Sequence, residues 1–203
     1  MSLVVSFDSY HKRRLVPPLV FVELHNDQIA ERPGFGAKQI GPVLRNCGLL
    51  LEKARSRGWP VAFFTPLQLR REIRRRPRAL WIEGFEPRRN DMVFERTDVS
   101  CYTSREFADA MTASGSVFVM AGFSGEGACL ATLIDAARHG HQAGLIRDAS
   151  ATRPLPGLSA DDSHSAVAAI VSRYATIVTA MDWVQATAVN RPELEAQNDL
   201  ASP

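Results

Sequence analysis

The sequence is poor in cysteine, in lysine and in long apolar runs, and each shortage excludes a class of protein. Its three cysteines, Cys47, Cys101 and Cys129, are too few and too widely spaced for a disulfide framework or a metal site, which favours a reducing compartment. No apolar run approaches the roughly 20 residues of a membrane helix. The 24 Lys and Arg against 22 Asp and Glu leave a net charge of +2, too little to indicate nucleic-acid binding.

The amino-terminal segment does not resemble a secretory signal. Within Met1–Leu15, the basic cluster His11-Lys12-Arg13-Arg14 follows the apolar residues, which is the reverse of a signal peptide, and no small-residue cleavage site comes after it. We therefore expect a cytoplasmic protein that has no membrane association and no nucleic-acid partner.

Short apolar runs alternate with longer amphipathic stretches along the 203 residues. The apolar runs predict strands at Leu19–Val22, Val61–Phe64, Met92–Phe94, Val117–Ala121, Gln142–Ile146 and Thr176–Thr179. Apolar side chains at three- and four-residue steps predict helices at Ile40–Arg57, around Phe107–Met111, at Ala128–Arg138 and at Ser159–Tyr174. Such a pattern implies a parallel sheet covered on both faces. We predict one three-layer α/β domain of about six strands, with a core over residues 17–185 and a tail over residues 186–203.

The residues that follow each strand are the candidates for function, because ligands of parallel sheets bind at the carboxyl ends of strands. Glu23 follows the first strand and Arg96 the third. A carboxylate buried at a strand end is costly unless it is paired, so Glu23 either pairs structurally with Arg96 or takes part in chemistry. The fourth strand runs into Gly122–Ala128, a glycine-rich strand–turn–helix elbow whose backbone amides could stabilise an anion.

Several motifs, in the same order along the chain, resemble the isochorismatase-like family, also called the cysteine hydrolase family. The segment Phe21–Asp27 resembles the first-strand motif V-I-D-M-Q-N-D of that family, Asp91–Arg96 resembles its D-x-V-I-x-K, and Ser100 matches the serine of the S-A-F that follows. The segment Gly122–Ala136 resembles G-x-x-T-x-x-C-V-x-x-T-x-x-D-A, and Asp148-Ala149 matches a D-A after the fifth strand. The resemblance implies a hydrolase fold and a homo-oligomer, most simply a dimer.

The chain departs from the family at the three positions to which the resemblance assigns catalysis. Where the family's hydrolases have an aspartate, a lysine and a nucleophilic cysteine, this chain has Glu23, Arg96 and Ala128. Cys129 comes one residue later, and a one-residue step turns a helical side chain by about 100°. We therefore expect its thiol to point into the core, the alternative being a distorted elbow that presents it to the site. No lysine follows Lys53 to replace Arg96.

Two hypotheses about function remain open. Thiolate attack requires the cysteine, so we expect no thiol-dependent amidase activity. The isochorismatase branch of the family lacks the cysteine and protonates a vinyl ether from the aspartate, a role open to Glu23, although Arg96 favours its ionised form. The chain is either a hydrolase with a remodelled site for a small anionic molecule, or a catalytically silent member that keeps the pocket for binding or assembly. The expected substrate contacts are His25, Ser124, Gly125, Gly127 and Trp81.

No metal or cofactor is expected from the sequence. Zinc-dependent members of the family carry an Asp-x-His and a second His after the second strand, whereas Thr65–Leu69 contains neither residue type. The pair His139-x-His141 comes at a predicted helix end, where it is more typical of a favourable charge than of a metal site.

Two further segments could mark a subunit contact. The basic run Arg70–Arg78 is interpreted as a solvated face or a subunit contact, with a guanidinium site for an anion as the alternative. Trp81 and the segment Met181–Val184 carry large apolar side chains outside the predicted strands. They predict a dimer interface if they face solvent in the monomer; otherwise they pack onto their own chain.

Overall fold

The computed structural model describes residues 16–26, 37–66 and 81–188. They form a six-stranded sheet with strands β1 Leu19–Val22, β2 Val61–Pro66, β3 Met92–Arg96, β4 Val117–Gly122, β5 Gln142–Ser150 and β6 Thr176–Val178. The α-helices are α1 Ala37–Ser56, α2 Arg105–Ala113, α3 Leu130–Arg138, α4 Ala160–Val171 and α5 Ala180–Ala188. A 3-10 turn, Cys101–Thr103, follows β3, and a π-helical turn, Gly125–Cys129, joins β4 to α3. The predicted parallel α/β fold is confirmed.

The strand order is β3-β2-β1-β4-β5-β6, and every neighbouring pair is parallel. The chain moves outward from β1 to β3 and then returns to place β4 on the other side of β1. The order therefore reverses between β1 and β4, and ligands of open parallel sheets bind in the crevice at such a reversal. Because Glu23 follows β1 and the elbow follows β4, the topology itself brings these two candidate segments to one edge.

Apolar side chains cover both faces of β1. Leu19 and Phe21 belong to a buried cluster with α1, whereas Val20 and Val22 belong to a second cluster on the opposite face. Successive strand residues point to opposite faces, so a strand covered on both sides reads as a continuous apolar run. This burial explains why β1 could be predicted from its sequence to the residue.

The fifth strand is longer than predicted. It continues past Ile146 to Ser150, and its pairing with β4 shifts register after Met120. Asp148 therefore lies inside the strand, where its Oδ1 accepts the N–H of Ala180 at 2.7 Å and holds the start of α5. The residues that follow β5 at the carboxyl edge are Ala151, Thr152 and Arg153, which the shorter prediction did not single out.

The two tryptophans considered for a dimer interface pack onto their own chain. Trp183 is fully buried in α5, edge-to-face against Trp59 at 5.3 Å between ring centroids, and Trp81 is 4% exposed, edge-on to Phe63 at 5.4 Å. Neither tryptophan supplies an exposed apolar surface, whereas Met181, in the same segment as Trp183, is 54% exposed. The homo-oligomer stays a prediction. The Arg70–Arg78 run lies outside the described residues.

Candidate active site

Glu23 lies directly after β1 in a backbone conformation that is unusual for its residue type. Its φ is 53°, in the left-handed region, and the residue is 7% exposed. A non-glycine residue there is strained by about 1–3 kcal/mol, and such strain clusters at functional sites. The conformation turns the chain at the strand end and places a carboxylate at the carboxyl edge of the sheet.

Arg96, the last residue of β3, forms an ion pair with Glu23. Its Nη2 donates to Glu23 Oε1, and the two side chains are each 9% exposed. Its Nη1 donates to the carbonyl oxygens of Asp98 at 2.6 Å and Val99 at 3.2 Å, which folds the following loop onto the guanidinium. The pairing that the strand ends predict is thus present, and removing one partner would leave a buried charge at a cost of about 3–5 kcal/mol.

The elbow after β4 begins with a glycine that no other residue could replace without rearrangement. Gly122 has a φ of 117°, and a Cβ on it would lie 2.1 Å from the carbonyl oxygen of Val22. Phe123 N–H then donates to that same oxygen at 3.0 Å. The elbow is therefore packed backbone to backbone against the end of β1, next to Glu23.

Ser124 is a second strained residue, with φ 61° and ψ 59°, and its side chain does not cap the helix that follows. Its Oγ lies against the backbone of Gly127: a Cβ on Gly127 would be 2.5 Å from Ser124 Oγ and 3.7 Å from Val99 Cγ1. Because the carbonyl of Val99 accepts from Arg96, this contact places the elbow beside the loop that holds the guanidinium. The turn itself is π-helical, a distortion that is frequent at functional sites.

Ala128, the residue to which the resemblance assigns the cysteine position, has no reactive group. Ala128 and Cys129 are both fully buried in the core cluster that contains Cys101 and Leu133. The Cys129 Sγ lies 4.0 Å from the carbonyl oxygen of Phe123. Burial raises the pKa of Cys129 well above its ordinary value, and Cys101 and Glu23 raise it further. A thiol that stays protonated is a poor nucleophile, in agreement with the expectation that Cys129 points into the core.

Much of the elbow's backbone bonds to the chain itself. The N–H of Gly125 donates to the carbonyl of Ala151 at 2.8 Å, and the N–H groups of Gly127 and Cys129 donate to the carbonyl of Ser124 at 3.1 and 3.2 Å. These three donors are therefore engaged within the protein and are not directed at a ligand.

Two side-chain contacts of the residues that follow β5 were not predicted from the sequence, and the first of them reaches the elbow. Glu126 pairs with Arg153 at 3.1 Å and accepts the Arg153 N–H at 3.2 Å. Thr152 Oγ1 lies 3.0 Å from His164 Nδ1, and burial lowers the pKa of His164. The signal that could have found Thr152 and Arg153 is their place just after β5, which the early end predicted for that strand concealed.

The predicted contact residues His25 and Trp81 lie against each other. Their ring centroids are 4.3 Å apart, their backbones form an isolated antiparallel bridge, and Asn26 Nδ2 donates to the Trp81 carbonyl at 2.9 Å. Both are buried, and His25 lies two residues from Glu23. They lie together at the end of β1, and their contact with a substrate stays a prediction.

Among the described residues, no group of three or more His, Cys, Asp or Glu side chains could hold a metal ion. Here His141 lies between the hydroxyls of Tyr102, at 2.7 Å, and Thr112, at 3.1 Å, and burial lowers its pKa. His141 is therefore packed between two hydroxyls, whereas His139 is the residue that caps the carboxyl end of α3. Of the helices in the described ranges, none is long and apolar enough to cross a membrane.

The comparison that decides the family is with its sequence model, because the model for the isochorismatase domain matches residues 17–182. The chain belongs to the isochorismatase family. No curated protein matches it.

Solved structures of isochorismatase-family proteins share the fold. An isochorismatase from Pseudomonas putida is 19% identical, with a TM-score of 0.71 over 89% of this chain and 99% of that one. A cysteine hydrolase from Pseudomonas syringae pv. phaseolicola is 16% identical, with a TM-score of 0.68 over 84% and 91%. An N-carbamoylsarcosine amidase from Thermoplasma acidophilum is 22% identical, with a TM-score of 0.62 over 81% and 96%. At such identities the likeness establishes the hydrolase fold and not a substrate.

Proposed function

We propose that this isochorismatase-family chain hydrolyses a small molecule by proton transfer at Glu23, without a thiol nucleophile. The observation that carries the proposal is the pair Ala128 and Cys129. The first has no sulfur, and the second has a thiol buried in the core whose pKa lies well above the ordinary value. Covalent attack of the cysteine-hydrolase type needs an accessible thiolate at this elbow.

We assign the proton transfer to Glu23. Its Oε1 accepts from the Arg96 guanidinium, which favours the ionised carboxylate. An ionised carboxylate can take a proton from water while the water oxygen bonds to the substrate's electrophilic carbon, and can then return that proton to the leaving group. The sequence favours an anionic substrate through Arg96, but Glu23 balances the Arg96 charge, so we assign no charge to the substrate.

A second candidate function is ligand binding without catalysis. It is favoured by the elbow backbone, in which the N–H groups of Gly125, Gly127 and Cys129 all donate to carbonyls of the chain. Donors engaged in this way give a developing oxyanion little stabilisation, and such stabilisation is often the largest contribution to catalysis of acyl transfer.

Turnover of matched amides, esters and vinyl ethers of small carboxylic acids tests the proposal on the wild-type protein and two variants. We expect turnover of an ester, whose carbonyl carbon water can attack, a loss of about 100-fold or more in Glu23→Gln, and no change in Cys129→Ala. Asp91→Asn is the matched control, since Asp91 forms the other strongly buried ion pair of the described residues, with Arg55 at 2.6 Å.

Each other outcome has a definite meaning. Loss of turnover in Cys129→Ala would contradict the proposal and restore a thiol mechanism. Loss in Asp91→Asn equal to that in Glu23→Gln would mean that the loss reports damage to the fold. Absence of turnover for every substrate, together with calorimetric binding of any of them, would favour the silent ligand-binding protein.

A further inference from the structure

We propose that Thr152 and His164 are positioning residues for the elbow: the Thr152 hydroxyl, oriented by His164, occupies the side-chain space of residue 125 and fixes the turn that carries Ala128. The inference rests on the proposed function in one respect, which is that the elbow forms part of the active site. It concerns residues that neither the sequence motifs nor the family comparison assigns to the site.

The first step is the contact between Thr152 and Gly125. Thr152 is fully buried just after β5, and a Cβ on Gly125 would lie 2.4 Å from its Oγ1. The family motif has a threonine at position 125, so this chain has a glycine where the resemblance implies a side chain. The Thr152 oxygen fills the volume beside that glycine and comes from the segment that follows β5.

The second step is the orientation of the hydroxyl. His164 Nε2 lies 3.0 Å from the Arg147 carbonyl oxygen, which can only accept, so Nε2 carries the hydrogen. In the neutral ring Nδ1 is then an acceptor, and the Thr152 hydroxyl, 3.0 Å away, donates to it. The hydroxyl hydrogen therefore points to His164, and the oxygen lone pairs face the elbow.

The third step is the number of tethers between the two loops. The three residues after β5, Ala151, Thr152 and Arg153, contact the two consecutive elbow residues Gly125 and Glu126: through the Gly125 N–H at 2.8 Å, the Thr152 hydroxyl, and the ion pair at 3.1 Å. These contacts hold Gly125 and Glu126, the first two residues of the π-helical turn that also contains Ala128. We infer that the position of Ala128 relative to the end of β1 is fixed by these contacts with the residues that follow β5.

Protonation of His164 should loosen this arrangement. The charged groups that face it are Arg147 on β5, Asp161 on its own helix and Glu126 on the elbow, and burial is the largest effect and lowers its pKa. The protonated ring donates from Nδ1, so the Thr152 hydroxyl must accept and turn its hydrogen towards the elbow. Burial depresses the folded pKa of His164 below the unfolded value of about 6.5, so the neutral arrangement is complete above 6.5 and is lost as pH falls through the lower, folded pKa.

The test compares Thr152→Val, which removes the hydroxyl at nearly constant volume, with Thr152→Ser, which retains it. The control is Thr112→Val, because Thr112 makes the other Thr–His contact of the described residues, with His141 at 3.1 Å, away from the elbow. The readouts are amide hydrogen exchange at Gly125, Gly127 and Cys129, and the ¹⁵N shifts of the His164 ring across the pH range.

We expect exchange at these amides to rise roughly fivefold to tenfold in Thr152→Val, to recover in Thr152→Ser, and to stay at the wild-type value in Thr112→Val. The Nδ1 shift of His164 should move in Thr152→Val alone. Equal exchange in both valine variants, or an unchanged His164 shift in Thr152→Val, would overturn the inference. Neither readout needs a substrate, so the inference can fail while Glu23-dependent turnover stands, and can hold in a protein that hydrolyses nothing.

Discussion

Left-handed glycines occur at both edges of the sheet, but those of the amino edge and Gly122 of the elbow differ in how closely they are packed. At the amino edge, Gly58 and Gly140 have φ values of 65° and 71°, and a Cβ on either would meet nothing within 4 Å. At the carboxyl edge, a Cβ on Gly122 would lie 2.1 Å from the Val22 backbone. A positive φ at Gly58 and Gly140 only reverses the chain, whereas at Gly122 it lets two strand ends approach closely. Gly157, in the loop after β5, has a φ of 80° and open space around it, so the close packing belongs to the elbow and not to every turn of that edge.

A similar contrast separates the two left-handed serines at the ends of β4. Ser116 enters the strand with φ 62°, and Ser124 leaves it with φ 61°. Ser116 is half-buried in a turn, whereas Ser124 is 6% exposed and lies against Gly127. Equal backbone strain at two positions therefore serves a turn in one case and the candidate active site in the other.

The largest expected effect on the free energy of unfolding comes from substitution of the left-handed glycines. Gly122→Ala should destabilise the fold by more than about 4 kcal/mol, because it adds a backbone clash to an unfavourable φ. Gly140→Ala should cost only about 1–2 kcal/mol, the price of a left-handed alanine alone. Urea denaturation of the two variants measures both, and similar values for the two would remove the distinction between the edges.

The next largest effects are expected at the two buried ion pairs, one at each edge of the sheet. Arg96→Met at the carboxyl edge and Arg55→Met at the amino edge should each cost about 3–5 kcal/mol, since each removes the guanidinium that pairs with a buried carboxylate. Only Arg96→Met should also abolish turnover. Arg105→Met, in an exposed pair with side chains 91% and 73% exposed, should stay within about 0.5 kcal/mol of wild type. An equal loss of turnover in both buried-pair variants would contradict the assignment of the active site to the carboxyl edge.

The smallest expected effect on stability comes from substitution of the two left-handed serines, Ser116 and Ser124. Ser124→Gly and Ser116→Gly should each leave stability unchanged or raise it by up to about 1 kcal/mol, since glycine relieves the strain but is less ordered when unfolded. Turnover should fall in Ser124→Gly alone. If turnover falls in neither variant, Ser124 does not contact the substrate.

Much of the fold and one contact of the site could be predicted from the sequence. Strands buried on both faces are continuous apolar runs, so β1 was predicted to the residue. The juxtaposition of Glu23 and Arg96 followed from a rule of parallel sheets, because residues that follow different strands meet at one edge.

The remainder depends on contacts without a local signal. Helix α5 is only nine residues long, and the burial of Trp183 rests on Trp59, which is far away in the sequence. The π-helical turn has no distinctive spacing of residues. The contacts of Thr152 and Arg153 depend on the continuation of β5 past Ile146. That continuation involves a register shift in the pairing with β4, which the periodicity of the sequence does not reveal.

The most direct test of the central claim is alkylation of the wild-type protein by iodoacetamide, followed by peptide mass spectrometry and by turnover in the same samples. We predict that native Cys129 is labelled no faster than Cys101, whose pKa burial raises to about 12, and that both react rapidly only in urea. Turnover should survive incubation with the reagent. Rapid labelling of native Cys129 with a parallel loss of turnover would contradict the account and identify a working thiol at the elbow.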